Sequence, residues 1–233
     1  MTQQPANPVA HAAPKHQSLA MVRTLGLVAT LCALAIVTAY RGTLDAANAN
    51  RRIALERAVF KVIPGAVRIE PLFATPTGIV PANGKPGPND VPFHAAYAAD
   101  GTLAGIAAEG AAKGYADVVR VLYGYDPERQ AITGFRVVFT RETPGIGDKI
   151  STDPAFLKNF EALDARLAAD ASALANAIKT VKHGSKKEPW EIDAIAGATI
   201  TAKAVGRGIN DSAQRLLPLL VPHLTTLAAP APR

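Results

Sequence analysis

The segment Asp193–Thr199 contains the residues with the clearest chemical potential in this chain. It reads Asp-Ala-Ile-Ala-Gly-Ala-Thr and lies between a predicted strand, Trp190–Ile195, and a predicted helix, Ile200–Leu217. The N-terminus of a helix presents free backbone N–H groups at the positive end of its dipole, where a phosphate can bind. The segment therefore predicts an anion site beside the hydroxyl of Thr199.

Thr199 has two local interpretations. As the N-cap of the helix, it would contribute about 1 kcal/mol to stability. As part of an anion site, it would sit beside Gly197 and Ala198, which are small enough to let a phosphate reach the helix end. Lys203 opposes the helix dipole in the first turn, so a bound phosphate would remove that conflict. Thr201 offers a second hydroxyl that can cap the helix while Thr199 has another role.

A second segment, Arg141–Gly147, reads Arg-Glu-Thr-Pro-Gly-Ile-Gly and directly follows a predicted strand, Ala131–Thr140. Pro-Gly favours a tight turn, and Gly145 and Gly147 let the backbone approach a flat ligand closely. The same residues are also typical of an ordinary exposed turn. The six-residue glycine pattern of dinucleotide-binding proteins is absent from the sequence.

Together the two segments resemble the signatures of the FMN-binding domain family. Residues 193–199 resemble its flavinylation sequence, Asp-x-x-(Ser/Thr)-Gly-Ala-Thr, in which the last Thr carries FMN through a phosphoester bond. Residues 142–147 resemble its second signature, Glu-Thr-Pro-Gly-(Leu/Ile)-Gly, and residues 114–125 resemble the Gly-Tyr strand segment before it. The resemblance spans residues 20–217 and points to the G subunit of the Rnf electron-transport complex, with similarity also to the C subunit of the sodium-pumping NADH:quinone reductase. Ala196 departs from the pattern, because the family usually has Ser or Thr there.

The resemblance implies a covalent FMN, esterified to Thr199. It also implies that Glu142 and Thr143, in the turn that contains Gly145 and Gly147, hold the isoalloxazine ring. A flavin tethered in this way lets the protein relay electrons without losing its cofactor.

The remaining site residues follow from the same resemblance. Gly197 and Ala198 would let the phosphate reach the helix end, and Lys203 would offset its charge. Asp193 belongs to the sequence read by a separate flavin transferase, which uses FAD as donor. We predict no catalytic residue in this chain, because an electron-carrier subunit of a translocase breaks no bond in a dissociable substrate.

The implied function is electron relay within an Rnf-type complex, which couples ferredoxin–NAD electron transfer to ion movement across a membrane. The other subunits of that complex would be its partners. Two alternatives remain open. The first is a flavinylated donor to another membrane reductase. The second is an anchored binding or assembly module without redox function, in which Thr199 is only a cap.

Composition limits the other classes of function. The net charge is +6, from 25 Lys and Arg against 19 Asp and Glu, and it is scattered along the sequence. We therefore expect a nearby anionic membrane and no nucleic acid partner. Cys32 is the only cysteine, and the five His share no ligand spacing, so we expect no metal site.

One apolar stretch, Thr24–Tyr40, is bracketed by Arg23 and Arg41 and is near the lower length limit for a transmembrane helix. We interpret it as a single-pass anchor in the cell inner membrane. A cleaved signal peptide is the alternative, but only Ala47–Ala49 offers a small-x-small site, and it lies late. The charges around the span do not fix its orientation, so the periplasmic placement of the domain follows from the resemblance.

The remaining elements follow from local patterns. A helix is predicted over Leu44–Ile63, ending at Pro64-Gly65; it is either the membrane-proximal helix that the resemblance implies or a core helix of the domain itself. An Asp100-Gly101 turn of type I′ is predicted between strands His94–Ala98 and Leu103–Ala107. Further predictions are a loop over residues 74–92, a strand over Val118–Tyr123, a helix capped by Asp153 with the stripe Phe156, Phe160, Leu163 and Leu167, a helix with Leu174, Ile178 and Val181, and a last helix ended by Pro218.

This order of elements predicts an α+β fold: one N-terminal transmembrane helix, then one FMN-binding domain with a mostly antiparallel sheet and flanking helices. The predicted boundaries are a disordered tail over 1–22, the anchor over 23–41, a membrane-proximal helix and linker over 42–70, the FMN-binding domain over 71–224 and a flexible tail over 225–233.

A basic loop formed by Lys182, His183, Lys186 and Lys187 precedes Trp190. It is either a solvated surface loop or a docking site for an acidic partner.

Overall fold

The computed structural model describes residues 15–84 and 86–228, and the chain divides into two compact units between Arg52 and Ile53. In the first unit, the chain forms part of helix α1, which runs over Lys15–Val62. The stretch Leu19–Val62 is long and apolar enough to cross a membrane, with a mean hydropathy of 2.1 in its most apolar window.

The second unit is built on an antiparallel sheet of seven strands in the order β2-β1-β3-β4-β5-β6-β7. The strands are β1 Arg68–Thr75, β2 Gly78–Pro81, β3 Val91–Tyr97, β4 Leu103–Lys113, β5 Val118–Asp126, β6 Ala131–Phe139 and β7 Leu163–Asp164. Two short strands, β8 Lys179–Val181 and β9 Glu191–Asp193, pair in parallel apart from this sheet. Besides the end of α1, the α-helices of this unit are α2 Pro154–Lys158, α3 Thr199–Leu220 and α4 Leu224–Ala228, and short 3-10 helices span Gly147–Ser151 and Val221–His223. The predicted α+β class, with a mostly antiparallel sheet and flanking helices, is confirmed.

The central strands contribute side chains to an apolar layer on each face of the sheet, because successive side chains of a strand point to opposite faces. On one face, Tyr123 and Val121 of β5 join the main core beneath α3. On the other face, Leu122 packs with Val59 and Val62 from the last turns of α1. The predicted membrane-proximal helix therefore contributes its end to the core of the domain.

Helix α3 lies very close to β4 because glycines face each other there. A Cβ on Gly110 would lie 2.5 Å from the carbonyl oxygen of Gly208, so neither strand nor helix has room for a side chain at this point. Ser212 fixes the same contact by donating a hydrogen bond of 2.8 Å to the carbonyl oxygen of Glu109. Pro218 does not end the helix as predicted, since α3 continues to Leu220.

The two helices predicted between Asp153 and Val181 are wrong beyond the first turn. Asp153 does cap α2, accepting a hydrogen bond of 2.9 Å from the N–H of Phe156, but the helix ends at Lys158. Leu163 lies in β7, and Val181 ends β8. The other predicted stripe residues, Phe160, Leu167, Leu174 and Ile178, lie outside regular helices.

Two further predictions, one of a turn and one of a loop, also need correction. The Asp100-Gly101 turn is not of type I′, because only Gly101 has a positive φ, whereas type I′ needs it at both central residues. Asp100 instead accepts hydrogen bonds from the N–H and hydroxyl of Thr102. The predicted loop over residues 74–92 contains a hairpin, in which β2 pairs with the end of β1.

The predicted bounds of the two tails and of the linker do not coincide with the ends of the helices and strands in the structure. Residues 15–22 belong to α1, and residues 225–228 belong to α4, so neither is an irregular tail. Residues 1–14 and 229–233 lie outside the described residues. Strand β1 begins at Arg68, three residues before the predicted start of the domain at residue 71.

Candidate functional site

Three loops of the domain meet at a cavity of about 470 Å³. They are the turn between β4 and β5, the loop after β6, and the start of α3. The residues that line the cavity are Tyr115, Glu142, Thr143, Ile146, Gly147, Gly197, Ala198, Thr199, Ile200 and Thr201. The two segments singled out in the sequence therefore lie on one cavity, of a size typical of sites that hold a small organic ligand (about 300–1,000 Å³).

Thr199 is the first residue of α3 and is partly exposed at the cavity. The N-cap position belongs to Ala198, and no side chain caps the helix. Gly197 has φ +82°, a left-handed conformation that favours glycine and turns the chain into the helix. The N–H groups of the first turn thus have no capping side chain, which leaves them available to an anion.

The Thr199 hydroxyl makes no side-chain hydrogen bond among the described residues. The interpretation of Thr199 as an N-cap is therefore wrong in this structure. Thr201 does not cap the helix either, because its hydroxyl donates to Glu142.

Glu142 is the structural centre of the site. The residue is only 6% exposed, and its Oε2 accepts a hydrogen bond of 2.5 Å from the hydroxyl of Thr201. Its Oε1 accepts hydrogen bonds from the N–H groups of Ala116 at 3.0 Å and Asp117 at 3.4 Å. This set of bonds, here called the Glu142 clamp, joins all three loops that form the cavity.

The clamp also sets the charge of Glu142. Burial raises the pKa of this carboxyl, but the hydrogen bonds from Thr201 and from the backbone of the 115–117 turn lower the pKa by more. The net shift is below the ordinary value of 4.5, so Glu142 is an anion at neutral pH. Both carboxylate oxygens have protein partners, so Glu142 holds together the walls of the cavity that it also lines.

Two glycines make room for this carboxylate. A Cβ on Gly114 would lie 2.5 Å from Oε1 of Glu142, and a Cβ on Gly147 would lie 2.6 Å from its Cβ. Either methyl group would push the side chain out of the clamp. The glycine at the end of the second signature is thus explained by packing against Glu142.

Of three other predicted site residues, Thr143, Gly145 and Lys203, only the first lines the cavity. Thr143 is exposed and lines the cavity. Gly145 is exposed with φ +77°, as the turn requires, but is not among the lining residues. Lys203 is exposed one turn after Thr199 and does not line the cavity.

Asp193 lies away from this cavity, at the end of β9, and borders a second one of about 180 Å³. Its N–H donates to Oδ1 of Asn159 at 3.0 Å, and its carboxylate lies 3.7 Å from Nδ1 of His183. Lys186, in the basic loop, donates to the same Asn159 oxygen at 3.1 Å. Part of that loop is therefore tied to the backbone at the start of the Thr199 segment.

Sequence reasoning did not assign a role to the apolar residues at the mouth of the cavity, Tyr115, Ile146 and Ile200. Each lies beside a residue or motif that was singled out. In the sequence, each is a large apolar residue within a segment of small or polar residues, and this contrast could have pointed to a role at the site.

Comparisons with known proteins agree with this site. Residues 114–214 match the family model described as the FMN-binding domain. The matched range includes both signatures and the Gly-Tyr segment.

Relatives of established name belong to ion-translocating complexes. The G subunit of the Na(+)-translocating ferredoxin:NAD(+) oxidoreductase complex of Acetobacterium woodii is 36% identical over 45% of this chain and 45% of its own length. The G subunit of the ion-translocating oxidoreductase complex of Pasteurella multocida is 37% identical over 45% and 46%. Its counterpart of the same name in Haemophilus influenzae is 29% identical over 83% and 87%. The chain thus spans about half the length of the first two relatives and most of the third.

Two solved structures have a similar fold. NqrC of Shewanella oneidensis has a TM-score of 0.53 at 20% identity, covering 77% of this chain and 96% of its own. The C subunit of the Na(+)-translocating NADH-quinone reductase of Parabacteroides distasonis has a TM-score of 0.58 at 18% identity, covering 76% and 95%. The resemblance predicted from the two signatures, to the Rnf G subunit and to this reductase component, is confirmed.

Proposed function

We propose that this chain is a membrane-anchored electron-carrier subunit that binds FMN through a phosphoester bond to Thr199. It would act with the other subunits of an Rnf-type ferredoxin–NAD ion-translocating complex. An FMN-binding electron-transfer subunit is supported by the matching family model and by the names of the relatives. The observation that carries the finer proposal is the cavity on which Thr199, an uncapped helix end and the second signature meet.

The residues present fit an FMN group. Thr199 presents a hydroxyl without a side-chain partner, beside first-turn N–H groups that can hold a phosphate. Gly197 and Ala198 add almost no bulk there, and Lys203 contributes positive charge from the next turn. Thr143 and Gly147 line the same cavity, where they would border a flat ring.

Each part of the chain then has a physical task. The Glu142 clamp holds the three loops at a fixed distance, so that the cavity is formed before a ligand enters. The helix end and Lys203 stabilise the negative charge of a phosphodiester. When bound, FMN supplies one- and two-electron chemistry, and the tether keeps it at the protein.

We further propose that a separate flavin transferase makes the bond. The Thr199 oxygen would replace AMP on the FMN phosphorus of FAD, giving the FMN ester, AMP and the proton of the hydroxyl. Among the described residues, no side chain hydrogen-bonds to Thr199 as a base would.

We place the anchor in the cell inner membrane and the domain on the periplasmic side. Protease added to spheroplasts should therefore digest the domain, and protection of the domain would contradict this orientation.

The experiment is co-expression of the full chain with a flavin transferase, followed by intact mass measurement. The wild type should gain the mass of FMN less one water. Thr199→Val, which keeps the shape of the side chain and removes the hydroxyl, should not gain it, whereas Thr199→Ser should. An equal gain in wild type and Thr199→Val would refute Thr199 as the attachment point, and no gain in any form would refute covalent attachment.

A further inference from the structure

The mouth of the Thr199 cavity exposes three large apolar side chains. Tyr115 is 69% exposed, and Ile146 and Ile200 are each 52% exposed, although all three also line the cavity. Exposed apolar residues are ordinary when scattered, but a group around one opening marks a surface that binds something. We call these three residues the apolar mouth.

Basic side chains lie next to this mouth. Lys203 and Arg207 follow Thr199 at intervals of four residues, so they continue along the same exposed face of α3. Arg207 Nη2 donates a hydrogen bond of 2.8 Å to the carbonyl oxygen of Lys113, at the end of β4. Lys113 Nζ in turn donates to the carbonyl oxygen of Ala116 at 3.2 Å. The basic residues of the helix and the strand are thereby held together, beside the turn that bears Tyr115.

Arg141 adds a fourth cation, directly before Glu142. Its guanidinium lies 5.4 Å from the ring centre of Phe139 and 3.5 Å from the carboxylate of Asp117. Lys113, Lys203 and Arg207 form no ion pair within the part of the chain that the structure describes. These four residues, Lys113, Arg141, Lys203 and Arg207, are here called the basic rim, and Asp117 neutralises only one of them.

We infer that the apolar mouth and the basic rim form the docking face for an acidic redox protein. An apolar centre with charged groups around it is the arrangement of protein–protein interfaces, and the charges steer the encounter. The inference rests on the proposed function, since the docked protein would exchange electrons with the flavin at Thr199. In each encounter the donor loses one electron and the flavin gains it.

A reduced [2Fe–2S] ferredoxin with negative net charge is a suitable probe. The full chain, flavinylated and held in nanodiscs of zwitterionic lipid with or without phosphatidylglycerol, is mixed with it in a stopped-flow spectrometer. Flavin reduction is followed at several salt concentrations. The test variant is Lys113→Glu/Arg207→Glu, which changes two rim residues that do not line the cavity. The matched control is Lys182→Glu/Lys187→Glu, an equal change of charge in the exposed basic loop.

At low salt, flavin reduction in the rim variant should be at least about 10-fold slower than in wild type, which is within the range by which charge steers association. The loop variant should stay within about 2-fold, and the difference should shrink as salt screens the charges. Lys113→Gln/Arg207→Gln should give an intermediate loss. Intact mass checks that every variant contains FMN, so that a rate loss is not a loss of cofactor.

Three results would overturn the docking face. They are equal rates for the rim and loop variants, a greater loss in the loop variant, or an effect of the rim confined to nanodiscs with phosphatidylglycerol, which would assign the rim to a lipid surface. A wild type without FMN would refute the proposed function instead. Binding to immobilised ferredoxin, measured by surface plasmon resonance, then still decides, because the rim variant should bind more weakly than the loop variant.

Discussion

The hydrogen bond between Thr201 and Glu142 should be among the strongest single polar contacts in the domain. The two residues are 2% and 6% exposed, and their oxygens are 2.5 Å apart, a distance typical of a hydroxyl bonded to a carboxylate. Bonds to charged groups contribute about 1.5–3 kcal/mol to stability. Thr201→Val should therefore lower the free energy of unfolding by about 2 kcal/mol, since it leaves a buried carboxylate oxygen without its donor.

A double-mutant cycle isolates this contact. Glu142→Gln retains an oxygen for the N–H groups of Ala116 and Asp117 but removes the charge, so Thr201→Val should have a smaller effect in that background. We expect a coupling energy of about 1–2 kcal/mol, within the range found for residues in contact. A second cycle on Thr102 and Asp100 is the matched control, because the same pair of groups lies 2.6 Å apart between two exposed residues.

Urea unfolding of the full chain in detergent provides the measurement. Trp190 is the only tryptophan, so its fluorescence reports on the domain and is not affected by the apolar helix. Midpoint and slope give the free energy of unfolding for each variant if the transition is two-state. A coupling no larger than that of the exposed Thr102–Asp100 pair would refute the clamp as the element that holds the site.

Three further outcomes follow from the structure. Hydrogen bonding lowers the pKa of Glu142, so its stabilising effect is present above the ordinary value of 4.5 and is lost as pH falls through the folded-state pKa; the stability difference between wild type and Glu142→Gln should shrink in acid. Gly147→Ala places a Cβ 2.6 Å from the Cβ of Glu142 and should cost about 1–3 kcal/mol and reduce flavin loading, measured by urea unfolding and intact mass. Gly134→Ala places a Cβ in direct overlap with the carbonyl oxygen of Val62 and should destabilise the domain far more than Gly105→Ala, where the nearest atom is 3.2 Å away. A constant difference across pH, normal loading of Gly147→Ala, or equal unfolding of the two alanine variants would contradict the respective argument.

The central strands were predictable because local pattern and burial agree there. The predicted strand Ala131–Thr140 matches β6 within one residue, and Val118–Tyr123 falls inside β5. β5 is buried almost continuously, as expected for a strand between two apolar layers, and its β-rich composition supports the same assignment.

The segment after α2 was not predictable because distant side chains determine its conformation. The side chain of Asn159, the C-cap of α2, donates to the carbonyl oxygen of Asp193 and accepts from its N–H, so tertiary bonds hold the chain where the helix ends. Further on, Gln214 of α3 accepts from the N–H of Leu174 and Asn210 from that of Ile178, replacing the bonds a helix would supply. Apolar residues spaced three or four apart are buried here without a helix, so periodicity alone was misleading.

The two signatures were predicted to share a site through the family resemblance, and the structure places both on one cavity. What holds them together was not visible in the sequence. Glu142 and Thr201 are 59 residues apart, and neither residue type at its position indicates a partner. The expectation that Thr201 caps α3 followed from local chemistry, and the tertiary bond to Glu142 overrides it.

The most direct test of the central claim is to locate the flavin by tandem mass spectrometry of the tryptic peptide from Glu188 to Lys203. This peptide contains both Thr199 and Thr201, so fragment ions distinguish the two hydroxyls. After co-expression with a flavin transferase, the peptide should carry FMN less one water, with the added mass on Thr199. An unmodified peptide, or the mass on Thr201 or elsewhere in the chain, would contradict the account.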